Sequence, residues 1–381
     1  MQNKYQSFRY LFNSVTKLFF QVLSLFQRSG QMKLHNANIR NISPLPTPKG
    51  MKSSYPLGEV AQATVSKARE EIARIILGED SRLLAIVGPC SIHNTEEVLR
   101  YAQRLAPLAT ELEDQLLVVL RFCGDKPRTG KAWTGFWNDP HMNGSCNIDH
   151  GWTESRKLAV EILTLGLPLG CEFLDAENFQ RLDDTPSYVW LGARDVGSQR
   201  QRQIASGLST PVGFKNHNIG GVKVALDAMS VSVGSNVFVS SNDNGLSSRF
   251  VTSGNRLSHL IHRGTDAGPN YDAESIAASV HELIHRGLLP RIVVDASHGN
   301  SRKDHMSQAS VIADVVDQVI SGSKSIAGFM YESYLKDGNQ PIPQDLSELK
   351  PDVSVTDGCD GWDRTEEVLR EAHRRLKESR K

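Results

Sequence analysis

The chain has 381 residues, in which 43 Lys and Arg are balanced by 43 Asp and Glu. That length suits one (β/α)8 barrel with insertions or two ordinary domains. The neutral balance removes any global field that would favour nucleic acid or an anionic membrane surface. Five widely scattered cysteines, an odd number, argue against a disulfide framework and for a reducing compartment. The first 58 residues stand apart: they contain no Asp or Glu, several Lys and Arg, and a short apolar run from Leu18 to Phe26. This composition leaves a transit peptide open, although the run is too short to span a bilayer. A start at Met32 is the simpler account. Leu34 to Tyr55, rich in Asn and Pro, reads as an extended arm. The expected organisation is an N-terminal extension over residues 1–58 and one catalytic domain over 59–381, in the cytoplasm.

Ala61–Leu77 carries apolar residues at helical spacing and predicts a helix across the base of a barrel. Short apolar runs then alternate with helical stretches: Leu83–Val87, Leu116–Phe122, Gly170–Leu174, Tyr188–Gly192 and Val212–Lys215. After the helical stretch Gly221–Met229, Asn236–Ser241 and Arg249–Thr252 flank the turn signal Asn242–Gly245, which predicts an inserted β-hairpin. The runs His259–His262, Arg291–Asp295 and Ile326–Tyr331 follow, and a helix over Thr365–Leu376 closes the chain. Parallel strands separated by helices make an α/β protein, a (β/α)8 TIM barrel with an N-terminal extension and a hairpin inserted before its sixth strand.

The chemistry lies where the runs end. Gly88-Pro89-Cys90-Ser91, Lys126-Pro127-Arg128-Thr129, Asp295-Ala296-Ser297-His298 and Tyr331-Glu332-Ser333 each follow a predicted strand. Cys90, His298, Glu332 and Asp357 converge if the eighth strand closes on the first. Thiolate, imidazole and carboxylate together suit Mn, Fe, Co or Zn better than Mg or Ca. Singly, each is more often a packed or solvated residue, so spacing alone leaves metal binding open. Arg121, Lys126, Arg128, Arg194, Lys215 and Arg263 lie at or beyond four other strand ends. Such a cluster of cations repels itself unless it meets an anion, and the guanidinium fork matches phosphate and carboxylate.

Taken together from about Tyr55 onward, these blocks resemble the class I 3-deoxy-D-arabino-heptulosonate 7-phosphate (DAHP) synthases. So do Asn138-Asp139-Pro140-His141, Gly192-Ala193-Arg194, Gly213-Phe214-Lys215-Asn216, His262-Arg263-Gly264 and Thr356-Asp357. The resemblance implies condensation of phosphoenolpyruvate with erythrose 4-phosphate, dependent on one divalent transition metal held by Cys90, His298, Glu332 and Asp357. It assigns Arg121, Arg194, Lys215 and Arg263 to phosphoenolpyruvate and Arg128 and Thr129 to the aldose phosphate. Lys126 lies between the two as the candidate catalytic proton donor. It further implies a homodimer or homotetramer built through the arm and hairpin. An aromatic amino-acid inhibitor site would lie near Ser209, Phe238 and Ser240, with Phe179 where one branch of the family has proline. His93 and His141 read as loop packing rather than ligands.

The chain also departs from the family pattern. Cys123-Gly124-Asp125 replaces a stretch that contains an aromatic residue and ends in Glu. His217-Asn218-Ile219-Gly220 stands for Gly-Thr-Asp-Gly, and Asp195-Val196-Gly197 for Thr-Thr-Glu. A related synthase acting on arabinose 5-phosphate and an inactive, metabolite-binding paralogue are the competing readings. The Lys-Pro-Arg-Thr block argues against the first and the intact ligands against the second.

Overall fold

The computed structural model describes residues 34–128, 130–173, 179–219 and 221–380. The chain divides into two units, Met1–Leu45 and Pro46–Lys381. In the first, residues 34–45 form turns and irregular backbone. The second opens with α1 (Pro48–Ser54), a helix where the Asn- and Pro-rich composition predicts an extended arm. Two local signals outweigh that composition: the Thr47 hydroxyl accepts from Gly50 N, and Pro48 stands at the first helical position, where its missing N–H costs nothing. Met51 packs into the core, and Lys49 N donates to Asp243 O at 2.8 Å, which ties α1 to the hairpin turn described below.

Helix α2 (Glu59–Leu77) begins two residues before the expected start and ends at Gly78, which adopts φ 80° and donates back to Arg74 O and Ile75 O. Its buried residues Ala61, Val65, Ala68, Ile72, Ile75 and Ile76 follow helical spacing. The last three join Leu84, Ile86, Val119, Trp190 and Val293 in one apolar cluster inside the barrel. The helix therefore plugs the barrel floor, as its sequence predicts. Burying each of those isoleucines contributes about 1.5–3 kcal/mol.

The barrel strands are β1 (Leu83–Gly88), β2 (Leu116–Arg121), β3 (Leu169–Glu172), β4 (Pro186–Leu191), β5 (Val212–Lys215), β8 (Ser258–His262), β9 (Ile292–Asp295) and β10 (Ile326–Glu332). All pair in parallel, in the closed order β1-β10-β9-β8-β5-β4-β3-β2. The hairpin β6 (Val237–Ser241) and β7 (Ser247–Val251) forms a separate two-stranded sheet. β7 starts two residues before its predicted edge, because the Asn242 to Leu246 turn fixes the register and draws Ser247 and Ser248 into the ladder. The predicted end of the third strand, Leu174, lies outside the described residues, as do residues 1–33, Thr129 and Gly220.

Helices α3 (Thr95–Glu111), α4 (Ile148–Thr164), α5 (Gln199–Ala205), α6 (Lys223–Ser232), α7 (Ala273–His285), α8 (Gln308–Ile320) and α9 (Trp362–Ser379) are the other α-helices among the described residues. α3 has a conventional start: Asn94 caps Glu96 N and Glu97 N, and both glutamates sit favourably in the first turn. No helix among the described residues is long and apolar enough to cross a membrane.

Candidate active site

Side chains alternate in and out along each strand. Above the interior layer of Val119, Trp190, Ile261, Val293 and Met330, the next inward position falls on Arg121, Gly192, Arg263, Asp295 or Glu332. The same alternation brings Glu172 on β3 and Lys215 on β5 to this level. The apolar stem of the barrel thus ends in charge on one face. A cavity of about 650 Å³ opens there, and every described cation singled out in the sequence lines it: Arg121, Lys126, Arg128, Arg194, Lys215 and Arg263. Thr129 lies outside the described residues.

Gly88 directs the first ligand. At φ 141° it turns the chain out of β1, and a Cβ there would lie 2.9 Å from Leu120 Cδ1. Pairing of Gly88 with Glu332 across β1 and β10 brings the Pro89-Cys90 loop beside β10. Cys90, Glu332 and Asp357 consequently present ligand atoms within 4.8 Å of one another. Cys90 Sγ lies 3.4 Å from Asp357 Oδ2. His298, the fourth predicted ligand, approaches less closely, with Nε2 3.9 Å from Glu332 Oε1. Its other ring nitrogen is 3.0 Å from Asp295 Oδ2 and 2.7 Å from Ser297 Oγ. The tautomer that donates Nδ1–H to Asp295 leaves the Nε2 lone pair facing Glu332, the arrangement by which a carboxylate orients a ligating histidine. His298 holds φ 58°, as Arg302 and Lys303 hold 53° and 65°, so this loop is kept in a sparsely populated conformation.

The electrostatics favour a cation among these donors. Burial and the nearby Glu332 push the Cys90 thiol well above its ordinary range. Burial also disfavours the Asp357 carboxylate, but Lys126, His298 and the Cys90 hydrogen bond outweigh it and hold that carboxyl low. A thiol, an imidazole and two carboxylates fit a borderline transition metal, and loading one would release the Cys90 proton. His93 Nε2 lies 3.3 Å from Glu97 Oε2, and His141 stacks on His150 with centroids 4.9 Å apart.

The cations divide into two groups. Arg121 donates to Glu332 Oε1 at 2.8 Å, and Lys215 donates to Asp295 Oδ2 at 2.7 Å; all four side chains are at most 5 % exposed. Trp190 lies beneath both cations, 5.4 Å from the Arg121 guanidinium and 5.8 Å from Lys215 Nζ. Burial disfavours the charge on Arg121, but Cys123, Glu332 and Asp295 prevail and raise its pKa. Asp295 is likewise penalised by burial, yet Lys215 and His298 hold it well below the usual carboxylate range. Arg121 Nη1 is buried without a hydrogen-bond partner among the described residues, a donor suited to an anion. Lys126 Nζ donates to Cys90 O at 2.9 Å and Cys90 Sγ at 3.1 Å. Burial lowers its pKa, but Cys90 and Cys123 outweigh that effect and secure its proton.

Arg128, Arg194 and Arg263 form the second group. Arg128 Nε donates to Trp133 O at 2.9 Å and Arg194 Nη1 to Pro127 O at 3.5 Å. Among the described residues, none of the three makes an ion pair with a carboxylate.

The structure adds Lys303 and Glu172 to the cavity wall, both missed in the sequence. Lys303 follows His298 by five residues but reaches the cavity only because the loop turns through the left-handed region. Gly124, Asp125 and Asn218, among the residues that depart from the family pattern, make defined local contacts. A Cβ at Gly124 would lie 2.0 Å from Trp137 Nε1, so the indole packs where a side chain would otherwise stand. Asp125 Oδ1 accepts from Lys126 N at 2.9 Å and Asn138 Nδ2 at 2.8 Å. Asn218 Nδ2 donates to Asp266 Oδ2 at 3.2 Å, which joins the β5 and β8 loops.

The model of the DAHP synthetase I family matches residues 60–370. The Tyr-sensitive phospho-2-dehydro-3-deoxyheptonate aldolase of Escherichia coli K12 is 43 % identical over 343 residues, covering 90 % of this chain and 96 % of that protein. The Phe-sensitive enzyme of the same organism is 42 % identical over 342 residues, covering 90 % and 97 %. The solved structure of the aldolase from Francisella tularensis SCHU S4 superposes with a TM-score of 0.87 at 37 % identity, covering 89 % of this chain and 99 % of that one. With the barrel, the strand-end residues and matches spanning nearly the whole length of these relatives, the chain belongs to the DAHP synthetase I family.

Proposed function

We propose that this chain condenses phosphoenolpyruvate with erythrose 4-phosphate and water, giving 3-deoxy-D-arabino-heptulosonate 7-phosphate and phosphate. The observation that carries this reading is one cavity lined by Arg128, Arg194 and Arg263, none of them ion-paired among the described residues, and by His298, Glu332 and Asp357, with the Cys90 thiol directly behind Asp357. Two phosphates and a carboxylate bring roughly four to five negative charges, at about 1.5–2 per phosphate. Cys90, His298, Glu332 and Asp357 would hold the divalent metal, which when bound supplies Lewis acidity toward the aldehyde oxygen.

The chain's own residues do the positioning. Arg121 Nη1, with Lys215, Arg194 and Arg263, receives the carboxylate and phosphate of phosphoenolpyruvate. Arg128 and Thr129 receive the phosphate of the aldose, which directs its carbonyl toward the Cys90 side of the cavity. The enol phosphate's C3 attacks the carbonyl carbon, and Lys126 Nζ, whose proton is firmly held, donates to the developing alkoxide. Water adds at C2, and the hemiketal phosphate loses phosphate by C–O cleavage. Fixed charge and orientation carry much of the acceleration. Phosphate release requiring both substrates, abolished by chelator and restored by Mn2+, is the expected result. Release from arabinose 5-phosphate instead, or from neither aldose, would overturn the assignment.

The hairpin supports a second element of this reading: assembly and aromatic feedback. Val237, Val239 and Val251 are more than half exposed on one face of β6–β7, and an apolar face of this kind marks an interface. On the other face, Phe238 is buried and stacked on Phe250 at 5.5 Å, with the Arg200 guanidinium 5.7 Å from its ring. That setting suits an aromatic amino acid next to Ser209 and Ser240. Val239→Asp should reduce the particle size measured by light scattering; unchanged size would remove the hairpin from the interface.

A further inference from the structure

A second group of potential ligands lies outside the set at Cys90. His305, Asp337 and Asp360 bring ligand atoms within 4.8 Å of one another. Asp360 is the buried member. Its Oδ2 accepts from the Tyr331 hydroxyl at 2.5 Å and lies 3.6 Å from Arg364 Nε. Its Oδ1 is buried with no hydrogen-bond partner among the described residues, and the residue as a whole is 0 % exposed. Arg364 does not supply that partner, because its other two guanidinium nitrogens are turned to Met306 O and Met306 Sδ. A fully covered carboxylate oxygen without a donor is rare in folded proteins and calls for an explanation.

The other two members are held in place for a ligand. Asp337 Oδ1 accepts from Gly361 N at 2.6 Å, which fixes the carboxylate beside Asp360 while the residue stays open to solvent. The His305 ring packs on Gly358, where a Cβ would stand only 3.0 Å from Nδ1, so the missing side chain admits the imidazole. Asp337 lines a groove between α8 and α9, and His305 lines the edge of the catalytic cavity, so an ion can reach the site from either side.

We propose that His305, Asp337 and Asp360 form a second divalent-cation site. One imidazole nitrogen and two carboxylates select ions of the Mn2+, Fe2+ and Zn2+ class over Mg2+ and Ca2+. The ion would be structural: Asp360 N donates to Glu332 O at 3.1 Å and Tyr334 N donates to Asp360 O at 2.8 Å. Asp357 is three residues upstream, so occupancy would brace the loop that presents it.

The test is a Mn2+ titration of the full-length chain, with free Mn2+ counted by electron paramagnetic resonance. It is run on the wild type, Asp360→Asn and Asp337→Asn, and repeated with Cys90→Ala to separate the two sites. Each carboxamide variant should bind one equivalent fewer than the chain it derives from, in both backgrounds. Asp337 is exposed, so Asp337→Asn keeps the test decisive if Asp360→Asn fails to fold. Equal Mn2+ counts with and without Asp337→Asn in the Cys90→Ala background would overturn the proposal.

Discussion

Replacing Arg121 with methionine isolates what the buried Arg121–Glu332 pair contributes. The pair is 2.8 Å apart and each side chain is 2 % exposed. At an effective dielectric of about 20, two charges at this separation attract by roughly 6 kcal/mol, much of it offset by desolvation. Methionine keeps apolar contact with Trp190 but leaves Glu332 buried beside Cys90 and Asp357 without its counter-charge. Removing one partner of such a pair costs about 3–5 kcal/mol. Urea unfolding followed by circular dichroism in chelator should show that loss for Arg121→Met. The double variant Arg121→Met/Glu332→Gln should recover most of it, because no charge is then stranded. Both variants should release no phosphate from the two substrates, since on the proposed reading each lacks a group the reaction uses. The reasoning fails if Arg121→Met is as stable as wild type in chelator, or if the double variant is no more stable than the single one.

Three further outcomes follow from the same geometry. Cys90→Ala should abolish activity and reduce bound transition metal while leaving the circular dichroism spectrum of the fold; retained metal and turnover would exclude Cys90 as a ligand. Arg128→Ala should raise KM for erythrose 4-phosphate and Arg263→Ala that for phosphoenolpyruvate, each by a loss of about 1.5–3 kcal/mol; equal effects on both substrates in each variant would refute the division of the cavity. Asp195 is raised to about 6 by burial and by Glu172, so its folded pKa exceeds its unfolded value. Its contribution is complete below the unfolded value near 3.8 and is lost as pH rises through about 6. Asp195→Asn should therefore stabilise the protein by about 1–2 kcal/mol at about pH 8, after a discount for partial exposure, and by little at about pH 3. Equal urea midpoints relative to wild type at the two pH values would contradict this.

The barrel was legible because its strands are short apolar runs that stop in charged residues, a pattern produced directly by inward alternation near the barrel mouth. Arg121 and Lys215 are the last residues of their strands, and the ends of those runs located them. Their partners were not legible as partners. Arg121 meets Glu332 across 211 positions and Lys215 meets Asp295 across 80, and no local signal records a pairing made only by barrel closure. Glu172 went unnoticed because Phe173 continues the apolar run beyond it. Lys303 depends on backbone conformations that neither Arg302 nor Lys303 announces. In α1, the capping signal of Thr47 and Pro48 was present but was outweighed in the reading by the surrounding Asn, Pro and Ser.

The division of the cations has a consequence for how the site works. The floor cations, Arg121, Lys126 and Lys215, are already fixed by Glu332, Cys90 and Asp295 before any substrate arrives, so they need little rearrangement as charge develops. Their partners limit the anion-binding energy they retain, which leaves Arg121 Nη1 as the one buried donor among the described residues of this group with nothing to bind. The rim arginines, Arg128, Arg194 and Arg263, have the opposite character: among the described residues no carboxylate pairs with them, so their mutual repulsion is relieved when an anion enters. On the proposed reading, ground-state affinity for the phosphates therefore rests on the rim, and the arrangement of the reacting carbons rests on the floor. A change at the rim should act first on KM, whereas a change at Arg121 or Lys215 disturbs an ion pair, and one at Lys126 its hydrogen bonds to Cys90, as well as the chemistry, and should act on kcat even when both substrates still bind.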